Sequence, residues 1–121
     1  MLKQSSSKIK NVLTILLAVF FVVFLIGMAT SAQDNNSGKV VDTAIQNFAF
    51  NPDPVKISAG DTVRWTNMDS ADHMVVGSIF KSGTIPNGQN YEFRFTEPGA
   101  YNYKCSIHPS MKGTITVVAK K

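Results

Sequence analysis

The chain has 121 residues, room for one domain once an N-terminal segment is set aside, and a net charge of +4 that is unevenly distributed. Three of its twelve basic residues, Lys3, Lys8 and Lys10, precede a long apolar run, so from Gln33 onward nine bases face eight acids and the balance is +1. No cluster of basic and aromatic residues is left to bind nucleic acid, and the single cysteine, Cys105, excludes an intramolecular disulfide.

Residues 12–29 are uncharged and almost wholly apolar, and they follow a lysine-containing start. That order is the signature of an export signal. Gly27 and Thr30-Ser31-Ala32 before Gln33 resemble a small-residue cleavage site. The apolar run nevertheless exceeds the usual signal core and approaches membrane-spanning length. Cleavage is the favoured reading, and a retained anchor helix with membrane association through residues 12–29 stays open. Either outcome places the rest of the chain outside the cytoplasm, in the periplasm or on the outer face of the cytoplasmic membrane. Residues 1–32 are thus read as signal peptide or membrane anchor, 33–39 as a polar flexible linker, and 40–121 as one domain.

From Val40 the pattern is one of short strands separated by turn signals, with no sustained helical period. Residues 40–50 form the first strand region, closed by Asn51-Pro52-Asp53-Pro54. Val55–Ser58 follows, with a turn at Ala59-Gly60-Asp61. Thr62–Asn67 alternates, placing Val63 and Trp65 on one face, and Trp65 is read as core. A polar loop leads to His73, Met74–Val76 resumes an extended run, and residues 77–90 form the longest irregular stretch, with a reverse turn at Ile85-Pro86-Asn87-Gly88. Tyr91, Phe93 and Phe95 alternate inward against Glu92 and Arg94. Glu97-Pro98-Gly99-Ala100 turns into Tyr101–Cys105, and Gly113–Val118 is the closing strand. Seven or eight such strands predict an all-β, antiparallel sandwich or barrel.

The chemistry lies between the last two strands, in Cys105-x2-His108-x2-Met111. Steps of three residues let one tight loop aim a thiol, an imidazole and a thioether at one point. Alone, Cys105 reads as an inert buried thiol, Met111 as core filler, and His73 or His108 as a solvated loop residue. Together they differ. Two histidines, a cysteine and a weak axial methionine are the donor set of a blue-copper electron-transfer site. Metal binding turns the thiol into a thiolate and requires neutral imidazoles. Pro109 stiffens the loop directly after His108.

Residues 40–119 resemble the cupredoxins, the small blue copper proteins. The likeness rests on Phe48-Ala-Phe50-Asn-Pro52, Gly60-Asp-Thr-Val-Arg-Trp65-Thr-Asn67, Asp69, His73, Pro98-Gly99-Ala-Tyr101-Asn-Tyr103 and the Cys105–Met111 loop. The ligand loop is most like that of amicyanin, and the whole more broadly like plastocyanin and pseudoazurin. The resemblance implies a Greek-key β-sandwich holding one type 1 copper on His73, Cys105, His108 and Met111. It implies single-electron transfer through the exposed edge of His108, flanked by Ile107 and Pro109, to redox protein partners, with the protein a monomer and not an enzyme. Two departures stand out. Met74 follows the first histidine where the family often has a polar residue that ties the ligand loops together. The apolar surroundings of His108 are also reduced, so Phe80, Ile85 and Pro86 are expected to supply a docking patch.

Two other functions compete with electron carriage. A copper-delivery protein more often uses several Met or His without cysteine, and its cupric form is pale. A copper enzyme needs further His-x-His ligands, and a binuclear centre needs two cysteines; this chain could serve such a complex only as a small subunit.

Overall fold

Alternating inward and outward residues along short β-branched and aromatic runs give a half-buried strand its two faces, and eight such strands stack here in two sheets. The computed structural model describes residues 37–121, so the expected signal or anchor helix lies outside the described residues. The strands are β1 (Val40–Gln46), β2 (Ala49–Asn51), β3 (Val55–Ser58), β4 (Thr62–Asn67), β5 (Val75–Gly77), β6 (Asn90–Arg94), β7 (Gly99–Cys105) and β8 (Lys112–Val118). The first sheet runs β2-β1-β4-β6 and the second β3-β8-β7-β5.

Two departures from the sequence reading concern pairing. The sandwich is not purely antiparallel, because β1 lies parallel to β4 and β3 parallel to β8. The chain crosses to the other sheet at β3 and returns at β4, so β4 enters beside β1 in the same direction. The first strand region is also two strands, a hairpin turning at Asn47-Phe48 with both residues at φ 55°. Positive φ at both central positions is the type I′ geometry that matches strand twist. Turn chemistry elsewhere follows the sequence closely. Asp61 N–H donates to Ser58 O across Gly60, while its buried carboxylate accepts from the N–H groups of Lys39 and Ser58. The later turn is shifted by one residue, with Gln89 N–H donating to Pro86 O and Gly88 at φ 77°.

Between the sheets Trp65 is fully buried, stacked on Phe80 at 5.3 Å and Tyr91 at 5.9 Å and met edge-on by Tyr103. Tyr103 needs a gap to fit. Its cross-strand neighbour is Gly113, and a β-carbon there would stand 2.3 Å from the phenol ring. On the other side Gly77 opens the same kind of space for Phe80. Burial pushes the Tyr103 phenol up to about 12, so it stays protonated. Its hydroxyl and Trp65 Nε1 are the buried side-chain polar atoms without a hydrogen-bond partner among the described residues. On the outer face of the first sheet, register lines up Asp42, Arg64 and Glu92, and Arg64 bonds Asp42 at 2.6 and 3.0 Å. Water and salt screen such an exposed pair, so it adds little to stability.

Candidate metal centre

The second sheet brings both ligand segments to one end. β5 pairs with β7 so that Val75 lies opposite Cys105, which sets His73, two residues earlier, beside the cysteine. The β7–β8 hairpin keeps its last pair at Lys104 and Lys112, and the loop beyond it is closed tightly. Cys105 N–H donates to Met111 O at 3.1 Å, and Met111 N–H donates to His108 O at 2.9 Å. The three-residue steps therefore form a neck with a turn inside it, as the spacing predicts.

Three donor atoms converge. Cys105 Sγ lies 3.7 Å from His73 Nδ1 and 3.7 Å from His108 Nδ1, and the two Nδ1 atoms are 3.2 Å apart. A point equidistant from all three lies about 2.1 Å from each, close to the roughly 2.0–2.3 Å bonds that imidazole and thiolate make to a first-row ion such as zinc. His73 and Cys105 are fully buried and His108 is partly exposed. Met111 is buried at the neck of the loop. All four residues singled out from the sequence thus belong to the two segments that meet here.

The orientation of His73 is set from behind. Its Nε2 lies 2.9 Å from Asp69 Oδ2, and a carboxylate can only accept, so Nε2 carries the hydrogen and Nδ1 presents a lone pair to the cluster. Asp69 also accepts from Asn47 N–H at 2.7 Å and Phe48 N–H at 3.0 Å. Desolvation pushes the Asp69 carboxyl up, but the bonds from Phe48, Asn47 and His73 outweigh it and hold it below its ordinary value. The loop carrying both residues is organised by Asn67, fully buried, whose Nδ2 donates to the carbonyls of Ala71 and Ile85 and whose Oδ1 accepts Asp69 N–H. His73 and Ile85 exchange backbone hydrogen bonds across an isolated bridge.

Met74 does not break the link between the loops. Ser106 Oγ donates to its sulfur at 3.0 Å, and Ser106 N–H donates to its carbonyl. Met74 N–H also donates to Cys105 Sγ at 3.4 Å, a third tie between the two segments. The expected docking patch needs correction at two of its three residues, Pro86 alone being exposed. Phe80 is 5 % exposed and Ile85 2 %, because one fills the space above Gly77 and the other pairs with His73. Ile107, at 46 %, and Pro109 are exposed beside His108. Sequence reasoning counted Phe48 in the family resemblance but did not place it at the site; it is 52 % exposed, and its ring meets His73 edge-on at 5.4 Å and His108 at 4.9 Å. The signal was Asn47, a turn residue tolerant of positive φ inside an apparent strand. Asp69 and Asn67 carried no such local sign of their roles.

Comparison with known proteins agrees with this geometry. The family model described as Cupredoxin-like domain matches residues 16–117. An amicyanin-alpha of Methylorubrum extorquens is 33 % identical over 101 residues, covering 75 % of this chain and 82 % of that one. A plastocyanin of Scenedesmus fuscus is 35 % identical over 88 residues, covering 58 % and 87 %. Among solved structures, a Cu(I) amicyanin variant superposes with a TM-score of 0.62 at 28 % identity, covering 65 % of this chain and 82 % of that one. A copper-containing nitrite reductase from Thermus scotoductus gives 0.63 at 31 % identity over 67 % of this chain, but only 23 % of the enzyme is covered.

Proposed function

This chain belongs to the cupredoxin-like domain family, and on that premise we propose that it is a type 1 copper electron-transfer protein. His73 Nδ1, Cys105 Sγ and His108 Nδ1 would hold the copper, with the Met111 thioether as a weaker fourth donor. The observation that carries this reading is the triangle of 3.2, 3.7 and 3.7 Å between donor atoms. With His73 Nδ1 presenting a lone pair, the three atoms are spaced so that one ion could bond all of them at once. Bound copper supplies a one-electron couple between its cupric and cuprous states.

The protein's own groups do the rest. Burial of Cys105 and His73 keeps water from the sulfur and supports a resident ion over one handed on to an acceptor. The Met74 N–H holds the Cys105 sulfur in place, and the closed Cys105–Met111 neck limits how far the donors can move. His108 is the partly exposed ligand, so electrons pass through its outer edge, with Ile107 and Pro109 on the contact surface. The whole chain has two histidines and one cysteine, donors for a single such centre, which supports a carrier that exchanges electrons with protein partners over an enzyme. Export by residues 1–32, a linker over 33–39 and a copper domain over 40–121 complete the proposal, with the centre outside the cytoplasm.

Loading the full chain with cupric ion tests it. The expected result is an intense visible thiolate-to-copper band that reductant bleaches and oxidant restores. A sample that binds one cupric ion per chain and stays pale overturns the reading.

A further inference from the structure

Asp69 is four residues before His73, its loop held by the buried Asn67, and it has three hydrogen-bond donors aimed at one carboxylate. Two of these donors are successive N–H groups of the hairpin tip, where Asn47 and Phe48 sit in the left-handed region at φ 55°. That conformation is unfavourable for a bulky residue such as phenylalanine. The carboxylate gives it an anchor, and the same anchor keeps the Phe48 ring against the edges of both imidazoles. The third donor is His73 Nε2–H at 2.9 Å.

We propose that Asp69 is a positioning residue that sets the reduction potential of the centre, an inference that rests on the copper reading above. A carboxylate bonded to the outer nitrogen of a ligating imidazole fixes its tautomer and ring orientation and raises its basicity. It also adds a negative charge in partial burial, where interactions are less screened than in water. Both effects favour the doubly charged cupric ion over the singly charged cuprous ion. Asp69 therefore lowers the potential, and it does so through His73 without touching the metal. The hairpin tip is coupled to the ligand through the same two oxygens, so the Phe48 shield and the donor strength of His73 rise and fall together.

The test is Asp69→Asn in the copper-loaded full chain, read by reduction potential, visible spectrum and urea midpoint. Outer-sphere partners of this kind are worth about 10–100-fold in metal affinity. With the loss falling mainly on the cupric state, a tenfold change raises the potential by about 59 mV while the visible band persists. A variant with an intact band, a lowered urea midpoint and an unchanged potential overturns the proposal, because a merely structural carboxylate would behave that way. Should the variant fail to fold, NMR of the wild-type cuprous protein decides. The expected signal is a slowly exchanging, nitrogen-coupled Nε2–H of His73; its absence overturns the proposal. Failure of the copper reading looks different, since wild type itself would then lack the band.

Discussion

Replacing Gly113 with alanine adds one methyl group, and the surroundings decide what that costs. The new β-carbon would stand 2.3 Å from Tyr103 Cζ, 2.4 Å from its hydroxyl oxygen and 2.7 Å from Cε1. Ordinary contact begins near 3.4 Å, so ring and strand must separate by about 1 Å, and overpacking of that kind costs about 1–3 kcal/mol or more. The ring has nowhere to go, being packed on Phe50 at 4.7 Å, Trp65 at 5.5 Å and Phe80 at 6.1 Å. Against this, alanine is better than glycine inside a strand by about 0.5–1 kcal/mol. The net expectation is a loss of about 1–2 kcal/mol, seen in urea unfolding of the metal-free chain as a lower midpoint at unchanged slope. For a domain of this size that corresponds to a melting temperature lower by roughly 4–16 °C. A double-mutant cycle isolates the cause. In a Tyr103→Ala background the obstruction is gone, and Gly113→Ala becomes neutral or slightly stabilising. A penalty under about 0.5 kcal/mol in the wild-type background, or an equal penalty in both, would refute the close-fit argument.

Four further outcomes follow from the site and its supports. Cys105→Ser abolishes the intense visible band while far-ultraviolet circular dichroism keeps its β signature; a blue serine variant would rule out thiolate ligation. Met111→Gln lowers the reduction potential, because an oxygen donor favours the cupric state more than a thioether does; an unchanged potential would remove Met111 from the axial position. Asn67→Ala leaves the carbonyl of Ala71 and the N–H of Asp69 without their partner, while Ile85 O keeps only the His73 N–H, at about 1–3 kcal/mol for each group left buried. Urea unfolding should show a loss above 2 kcal/mol, and a loss under 1 would mean water or a rearranged loop replaces the side chain. Asp69 has its folded value depressed below that of an ordinary carboxyl, so its contribution is complete above the unfolded value and is lost as pH falls through the folded one. Wild type and Asp69→Asn should accordingly differ most in unfolding free energy near neutral pH and converge below pH about 4; a gap that widens in acid would reverse the assigned sign.

The features legible in the sequence were those written over a few consecutive residues. Alternation in Thr62–Asn67 and at Tyr91, Phe93 and Phe95 marked which faces turn inward, because strand side chains repeat every two residues whatever their partner. Cys105-x2-His108-x2-Met111 was readable for a related reason. Its geometry is closed within the loop by the Cys105–Met111 and Met111–His108 backbone bonds, so spacing alone carried most of the information. Long apolar residues in an irregular stretch were the opposite case. Phe80 and Ile85 looked available for docking, yet the gap above Gly77 and the bridge to His73 took them into the interior.

By itself, then, the sequence determined an all-β domain with a buried tryptophan and a Cys-His-Met loop matched to an upstream histidine. Donor chemistry and strand period are local properties. Only the tertiary structure decided that β1 and β4 run parallel, that Phe48 covers both imidazoles, and that Asp69 grips His73 from behind while binding the hairpin tip more than twenty residues away. Those contacts join segments distant along the chain. Their partners are chosen by how two sheets pack, which no short window of residues encodes.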